Sequence, residues 1–264
     1  MGLIRRLLQR QYLVARHKMS TIRFSKIRVL ETGYNNAALN MAIDEALIEN
    51  IGNVPILRIY RWRPAAVSIG YFQSIKEEVD LEKCSKIGVD VVRRLTGGGA
   101  VLHEFEITYS FITKQYPQNI MESYRWICEA IVVSINRLGF DASFVPLNDI
   151  VVQGKKVSGS AQTRRNGVLL QHGTLLLSVD VDKMFSILKV PTEKLRDKII
   201  KDVKKRVTSL SGTTFDDMAS SLKTSFATKF DAKLAADTLR TEEVSRARWL
   251  AEWKYSSKEW NLRR

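Results

Sequence analysis

The chain contains three consecutive glycines, at positions 97–99, shortly after two arginines, Arg93 and Arg94. An apolar run at 89–92 leads into this stretch, so we expect a strand to end here in a glycine-rich loop. Glycines bring backbone N–H groups close to a ligand, and arginines donate charge-assisted hydrogen bonds to anions. The stretch therefore predicts a loop that binds a phosphate or a carboxylate. A flexible turn has the same glycine content, so the rest of the chain must decide between the two interpretations.

Length and composition predict a water-soluble globular protein. The 264 residues suffice for one large domain, and the hydrophobic share of 45% is ordinary. No run approaches the roughly 18 uninterrupted apolar residues of a transmembrane helix, so we expect no membrane partner. The two cysteines, Cys84 and Cys128, lie far apart and indicate neither a disulfide framework nor a metal site. A reducing, cytoplasmic location is therefore expected.

The formal net charge of +14 is concentrated in two segments. Residues 1–18 hold five basic residues and no acidic one, and residues 194–206 hold seven basic residues against Asp197 and Asp202. Such surfaces attract nucleic acids, anionic membranes or acidic proteins, although a solvated face without a partner has the same composition. No nucleic-acid-binding motif accompanies the charge, so we expect no specific nucleic-acid partner. A binding protein that has lost catalysis is a third, non-enzymatic alternative.

Residues 1–20 form a basic, partly amphipathic extension. A targeting peptide or a surface-bound helix has this pattern, but the serine enrichment and the small-residue cleavage site of a targeting signal are missing. We therefore expect a dispensable extension. The domain itself is predicted at 21–264, with residues 208–264 as a helical tail.

Hydrophobic periodicity predicts both helices and strands. Asn36 is placed to cap one helix, and apolar residues at helical spacing over 120–138 predict another. Short β-branched runs predict strands up to about residue 177, with a hairpin turn at Asn166-Gly167. Cys128 falls beside the apolar stripe of the second helix, so packing explains it better than catalysis does.

A second polar group, at 148–162, interrupts this β-like sequence. If residues 155–162 form a regular strand, Lys156, Ser158 and Ser160 point to one face. A lysine with two small hydroxyl residues suits a site that stays open for a ligand. A surface lysine on an edge strand is the alternative interpretation of Lys156.

A third polar group, His172 and Gly173, interrupts an apolar strand predicted over 168–177. Such a pair in a central strand marks the close approach of a ligand or of another backbone. A structural histidine, hydrogen-bonded within the core, is the alternative. Three separate polar groups in apolar β-structure favour one shared pocket that includes the glycine-rich loop.

Taken together, the chain resembles the catalytic domain of lipoate-protein ligases and the related octanoyl and lipoyl transferases over about residues 22–210. Biotin-protein ligases share the fold, but their loop of alternating arginine and glycine is absent. The resemblance implies an α+β fold, a mixed, largely antiparallel central β-sheet flanked by α-helices, with a small helical C-terminal segment. The matching segments are RRLTGGGAVLH at 93–103, Asn148-Asp149, GKKVSGSAQ at 154–162, His172-Gly173, and YSSKEWN at 255–261, which is similar to the end of short, archaeal-type ligases.

The resemblance implies that ATP and Mg²⁺ activate lipoate to lipoyl-AMP, and that the acyl group then passes to a lysine of a lipoyl domain. Lys156 is the implied catalytic residue, because a cation beside the acyl phosphate stabilises the negative charge that develops there. Asp149 is the implied Mg²⁺ carboxylate. His103 either orients the loop or packs beneath it, and both interpretations stay open. The implied ATP or acyl-adenylate residues are Arg94, Thr96, Gly97, Gly98, Gly99, Ala100, Val101, Leu102, Asn148, Asp149 and Lys156, and the implied acyl-pocket residues are His103, Gly159, Ser160, Ala161, His172 and Gly173.

Two departures from the family pattern decide between its members. The transferases carry an acyl-accepting cysteine in a long loop before the Asn-Asp position, and residues 139–149 contain none here. An ATP-dependent ligase is therefore the first hypothesis, and an octanoyl or lipoyl transferase that uses an acyl carrier protein is the alternative. A full accessory domain is also missing, so we expect a separate small accessory ligase subunit. The expected acceptors are lipoyl domains of 2-oxoacid dehydrogenase or glycine cleavage proteins.

Overall fold

Strands form the centre of the molecule in a computed structural model that describes residues 22–190 and 193–264. Eight of the described strands make one sheet, and three make a smaller one. In chain order the strands are β1 (Lys26–Asn35), β2 (Ile56–Trp62), β3 (Ala66–Ile69), β4 (Asp90–Arg93), β5 (Val101–His103), β6 (Glu106–Thr113), β7 (Ala142–Val145), β8 (Asp149–Val152), β9 (Lys155–Arg165), β10 (Val168–Leu176) and β11 (Lys233–Asp237).

The large sheet has the order β11-β1-β2-β6-β10-β9-β8-β7, and the small sheet has the order β4-β3-β5. β1 pairs in parallel with both β11 and β2, and the other pairs of the large sheet are antiparallel. This confirms the predicted mixed, largely antiparallel sheet. The hairpin between β9 and β10 turns at Asn166 and Gly167, both with positive φ, as an Asn-Gly pair predicts.

Helices cover both faces of the large sheet, as predicted. The helix over 120–136 and the helix over 215–230 pack on one face, around Phe111, and the helices over 37–49 and 241–250 pack on the other, around Tyr60. The described helices are α1 (Ala37–Glu49), α2 (Ile75–Glu78), α3 (Leu81–Lys86), α4 (Ile120–Asn136), α5 (Val181–Ile187), α6 (Glu193–Arg206), α7 (Phe215–Phe230), α8 (Thr241–Leu250), a π-helical turn (Ala251–Tyr255) and α9 (Lys258–Asn261).

The C-terminal segment contributes a strand as well as the expected helices. Residues 233–237 form β11, which pairs with the first half of β1 at the edge of the large sheet. The sequence KLAAD has no β-branched residue, so its local preference does not indicate a strand. Pairing with β1, about 200 residues earlier in the chain, determines its conformation.

Two further sequence predictions concern the N-terminal extension and membrane-spanning helices. The extension at 1–20 lies outside the described residues. Among the residues that are described, no helix combines the length and the apolar character needed to span a bilayer.

Candidate active site

The glycine-rich loop connects β4 to β5 and packs against the turn that follows β3. A Cβ atom on Gly70 of that turn would lie only 2.0 Å from the carbonyl oxygen of Gly98, so no larger residue fits at position 70 without moving the loop. Gly98 itself has a φ of +93°, a conformation that L side chains rarely adopt. The predicted loop is therefore a fixed structure whose shape requires glycine at both positions.

Arg94 holds the loop in this shape. Its Nη2 donates to the carbonyl oxygens of Gly97 and Gly99 at 2.7 and 2.8 Å. Its Nη1 donates to the carbonyl and hydroxyl oxygens of Ser68, and its Nε donates to Oγ1 of Thr96. All five N–H groups of the guanidinium are thus satisfied by the loop and by β3. Arg94 therefore fixes the shape of the loop, and its positive charge lies between the loop and β3.

Arg93 has the same role on the opposite side of the strand. Its side chain is fully buried, and each nitrogen of its guanidinium donates to at least one backbone carbonyl. In return, the indole Nε1 of Trp260 donates to the carbonyl oxygen of Arg93 at 2.8 Å. The C-terminal residues are therefore part of the support of the loop. The carbonyl groups that accept from Arg93 belong to Gly70, Tyr71, Gln73, Trp260 and Asn261.

The charges of these two arginines are not neutralised within the described part of the chain, where neither forms an ion pair with a carboxylate. Burial lowers the pKa of Arg94 to about 10, and burial also lowers the pKa of Arg93, helped by Arg263 and Arg264 nearby. Both side chains stay protonated at neutral pH. A buried positive charge without a counterion favours the binding of an anion at the glycine-rich loop.

His172 joins the loop to the sheet and to α1. Its Nε2 lies 2.7 Å from Oγ1 of Thr96, and its Nδ1 lies 3.4 Å from a carboxylate oxygen of Asp44. Burial raises the pKa of Asp44, but Arg58, at 2.7 Å, and His172 outweigh this effect and hold that pKa below its ordinary value. Burial lowers the pKa of His172, and Asp44 offsets only part of the shift. His172 is therefore a neutral, hydrogen-bonded residue in the wall of the site.

His103 lies beneath the loop, with partners on both ring nitrogens. Nε2 is 2.7 Å from Oγ of Ser68, the residue that also accepts from Arg94, and Nδ1 is 2.5 Å from Oε1 of Glu106. The imidazole stacks on the indole of Trp62 at a centroid distance of 4.0 Å. These contacts fit both interpretations of His103, because the ring packs beneath the loop and also orients it through Ser68.

Lys156 lies opposite the loop, and a bulge in β9 directs its side chain. Ile150 pairs with Ser158 but Val151 pairs with Lys156, so Val157 is an extra residue in the ladder. Ser160 Oγ bonds to the hydroxyl of Tyr109 in the core, at 2.9 Å. The predicted regular alternation of residues 155–162 is therefore wrong, because the bulge interrupts the period of two.

The Nζ of Lys156 lies close to Gly159, where a Cβ atom would be only 2.9 Å away. It also forms an ion pair of 2.7 Å with Oδ1 of Asp149. Asn148 holds this region together: its side chain donates to the carbonyl oxygen of Ser160, whose N–H donates to the carbonyl oxygen of Asn148. Glycine at 159 thus leaves room for the lysine.

A cavity of about 290 Å³ lies between the loop and β9. Its surface is mainly apolar, and Tyr60, Trp62 and Met184 of α5 are among the residues that line it. Thr96, Gly97 and Asp149 lie outside the lining, in contact with residues that form it. The predicted site residues that line the cavity are Arg94, Gly98, Gly99, Ala100, Val101, Leu102, His103, Asn148, Lys156, Gly159, Ser160, Ala161, His172 and Gly173.

Several lining residues were not predicted from the sequence. Trp62 and Ser68 lie on β2 and β3, in runs that are typical of any buried strand. Val179 precedes α5, Met184 lies on α5, and Val207 follows α6. No local pattern distinguishes these residues from ordinary core positions, because they reach the cavity only through the packing of distant elements.

Neither cysteine lines the cavity. Cys128 is buried behind β9, with its Sγ 3.9 Å from Oγ of Ser160, and burial raises the pKa of its thiol to about 12. Cys84 is buried on α3, and burial raises the pKa of that thiol to about 11. Both thiols are protonated at neutral pH and poorly nucleophilic. Packing is therefore the role that the structure supports for both, as predicted for Cys128.

Asp149, the predicted Mg²⁺ ligand, is not part of a cluster of metal-binding side chains among the residues that the structure describes. No cluster of three or more His, Cys, Asp or Glu side chains suitable for a metal is found in the described ranges. The magnesium role of Asp149 therefore stays a prediction, based on phosphate-transferring enzymes in which one or two carboxylates hold an ion that also binds substrate phosphates and water.

Comparisons of the sequence and of the structure with known proteins point to the same family. The family described as "Lipoyl protein ligase A/B catalytic domain" matches residues 36–230. The octanoyltransferase LipM of Bacillus subtilis is 36% identical, with 90% of this chain and 98% of that protein covered. LipM of Kyrpidia tusciae is 38% identical, with the same coverage.

Two solved structures are similar over nearly the whole chain. One is a bi-partite lipoate protein ligase from Thermoplasma acidophilum, described together with its E2 lipoyl domain, with a TM-score of 0.84 and 37% identity over 91% of this chain and 96% of that one. The other is a lipoate-protein ligase A bound with ATP, with a TM-score of 0.78 and 33% identity over 90% of this chain and 98% of that one.

Proposed function

The chain belongs to the lipoyl protein ligase A/B catalytic domain family, and from that premise we propose that it transfers an octanoyl or lipoyl group to a lysine of a lipoyl domain. One observation carries the proposal: an apolar cavity lies between Lys156 and a glycine-rich loop that is supported by two buried arginines. The cavity accepts an alkyl chain, whose burial contributes about 0.8 kcal/mol per methylene. The loop and the lysine accept the anionic end of the donor.

The chemistry requires little beyond these groups. The neutral amine of the acceptor lysine attacks the acyl carbon, the bond from that carbon to the leaving group breaks, and the amine loses a proton to solvent. Negative charge develops on the carbonyl oxygen and on the leaving group, where Lys156 and the loop N–H groups stabilise it. The side chain of Lys156 is 41% exposed, so an incoming acyl group can reach its Nζ.

The first donor that we propose is an acyl-adenylate. Both cysteines are outside the cavity with raised thiol pKa values, so an acyl-thioester on the enzyme has no suitable residue. An adenylate phosphate would instead lie against the glycine-rich loop, above Arg94. ATP and Mg²⁺ would supply the activation, with Asp149 as the protein's magnesium ligand and, in this proposal, a separate small accessory subunit.

The second candidate donor is an octanoyl group on an acyl carrier protein. The names of the curated relatives, octanoyltransferases, favour this reading more directly than they favour an ATP-dependent ligase. In that case the acceptor lysine would attack the carrier thioester directly, without an intermediate on Cys84 or Cys128.

One experiment separates the two donors. The protein is incubated with a lipoyl domain and either synthetic octanoyl- or lipoyl-adenylate, lipoate with Mg-ATP, or octanoyl carrier protein, and the lipoyl domain is weighed by mass spectrometry. Modification from the adenylates, with slow modification from lipoate and Mg-ATP, is the expected result. Modification from the octanoyl carrier protein alone would establish the second candidate, and no modification from any donor would refute both.

A further inference from the structure

Helix α6 (Glu193–Arg206) ends at the mouth of the cavity. The residue that follows it, Val207, lines the cavity and forms a β-bridge with Lys156. The next backbone N–H, of Thr208, donates to the carbonyl oxygen of Lys156 at 2.9 Å. The last turns of α6 are therefore held next to the lysine on which the proposed reaction depends.

These turns carry a stripe of exposed lysines. Lys198, Lys201 and Lys205 follow one another at spacings of three and four, which places them on one side of the helix, and Arg206 is exposed beside them. We call these four residues the basic ridge. None of the four forms an ion pair with the described residues, whereas their neighbour Lys204 pairs with Asp182 at 2.7 Å.

Helix stability accounts for only part of the ridge, because Lys205 and Arg206 lie in the last turn, where positive charge interacts favourably with the helix dipole, whereas Lys198 and Lys201 lie before it. Two lysines at a spacing of four, such as Lys201 and Lys205, repel each other and destabilise an isolated helix slightly. Lysines on a surface without a function commonly alternate with acidic residues, as Lys86 and Glu82 do on α3. The uncompensated charge is also next to the cavity and not at a random place on the surface.

We propose that the basic ridge is the docking surface for the acceptor protein, and that it binds an acidic surface beside the acceptor lysine. This inference rests on the proposed function. The acceptor lysine must enter the cavity while the rest of its domain stays outside, so the domain surface must lie on the residues around the mouth, including the end of α6. Charges at the rim of such an interface mainly accelerate encounter, and salt screens them.

The test compares two matched double variants. Lys201→Glu with Lys205→Glu reverses two neighbouring charges on the ridge. Lys26→Glu with Lys233→Glu reverses two exposed charges that are also neighbours, paired across β1 and β11 at the edge of the large sheet that is farther from β9. Both variants change the net charge by the same amount, so a difference between them reports position and not overall charge.

Binding of a fluorescently labelled lipoyl domain is measured by anisotropy at low, physiological and high salt. We expect the ridge variant to bind about tenfold more weakly than the control variant at low salt, with the difference disappearing at high salt. Equal affinities of the two variants would overturn the proposal. So would a DNA duplex whose binding is lost in the ridge variant while binding of the lipoyl domain is kept.

Acyl transfer from octanoyl-adenylate is then measured with two acceptors, the lipoyl domain and a short peptide with blocked termini whose only ionisable side chain is one lysine. The ratio of kcat/KM for the domain to kcat/KM for the peptide should fall about tenfold in the ridge variant and stay constant in the control variant. Failure of the wild-type protein to acylate either acceptor would refute the proposed function. In that case the binding measurement would still show whether the basic ridge binds the lipoyl domain.

Discussion

The Nζ of Lys156 lies 2.7 Å from Oδ1 of Asp149, and both side chains are partly exposed, at 41% and 34%. An ion pair at this exposure contributes little to stability, because water and salt screen it. Its use is positional. Asp149 holds the ammonium beside Gly159, and in the proposed reaction the lysine exchanges this carboxylate for the anionic end of the donor.

Replacing Lys156 with alanine should lower kcat for acyl transfer about 10²- to 10³-fold, the usual loss when one group that stabilises the developing negative charge is removed. Lys155→Ala is the matched control, because Lys155 is the exposed neighbour outside the cavity lining. Rates are measured by mass spectrometry of the acceptor. Equal rates for the two variants would show that Lys156 has no catalytic role.

Replacing both cysteines with serine should leave acyl transfer within about twofold of wild type, since neither thiol lines the cavity and both are protonated at neutral pH. For the same reason, iodoacetamide should inactivate the folded protein only slowly at pH 7. Loss of activity in the Cys128→Ser variant, with an unchanged thermal midpoint, would instead indicate an acyl-thioester route.

Gly70→Ala should disrupt the glycine-rich loop, because the added Cβ would lie 2.0 Å from the carbonyl oxygen of Gly98. We expect a loss of about 1–3 kcal/mol in the free energy of unfolding, the usual cost of overpacking, and weaker binding of the acyl-adenylate. Gly52→Ala is the control, because no atom lies within 4 Å of a Cβ at that position. Urea unfolding and calorimetric titration provide the two measurements.

Trp260→Ala should weaken binding of the donor although Trp260 lies outside the cavity lining, because its indole supports Arg93 and thereby the loop. A loss of one such hydrogen bond corresponds to a rise of up to about tenfold in KM for the acyl-adenylate. Trp253→Ala is the matched control, since that indole is 63% exposed. If the two variants have the same KM, the C-terminal residues do not support the loop.

The stability of the protein should fall as the pH falls below about 6.5, the ordinary pKa of histidine. Burial lowers the pKa of His172 in the folded state, so the unfolded chain binds the proton first, and protonation favours unfolding. Asp44, whose folded pKa is also lowered, adds a further loss at more acidic pH. Urea unfolding at pH 7.5, 6 and 5 should show a shallower decline in His172→Gln than in wild type.

Local patterns were enough to predict much of this protein. Turn chemistry identified the loop at 97–99 and the Asn166-Gly167 hairpin, and apolar periodicity identified α4 and the position of Cys128 on it. Each of these signals depends on residues within one or two turns of each other. The family resemblance then added what composition does not contain, namely the hypothesis that the anion at the loop belongs to an acyl group and its activating phosphate.

The tertiary structure decided the roles of individual side chains. Arg93 and Arg94 have the same chemistry in the sequence, and both are occupied by backbone carbonyls, those of Arg93 partly supplied by Asn261, 168 residues away. The bulge at Val157 and the edge strand β11 likewise depend on partners in other strands. A hydrogen bond between residues so distant in the chain leaves no periodic trace in either segment, because each segment satisfies its own local rules whether or not the other is present.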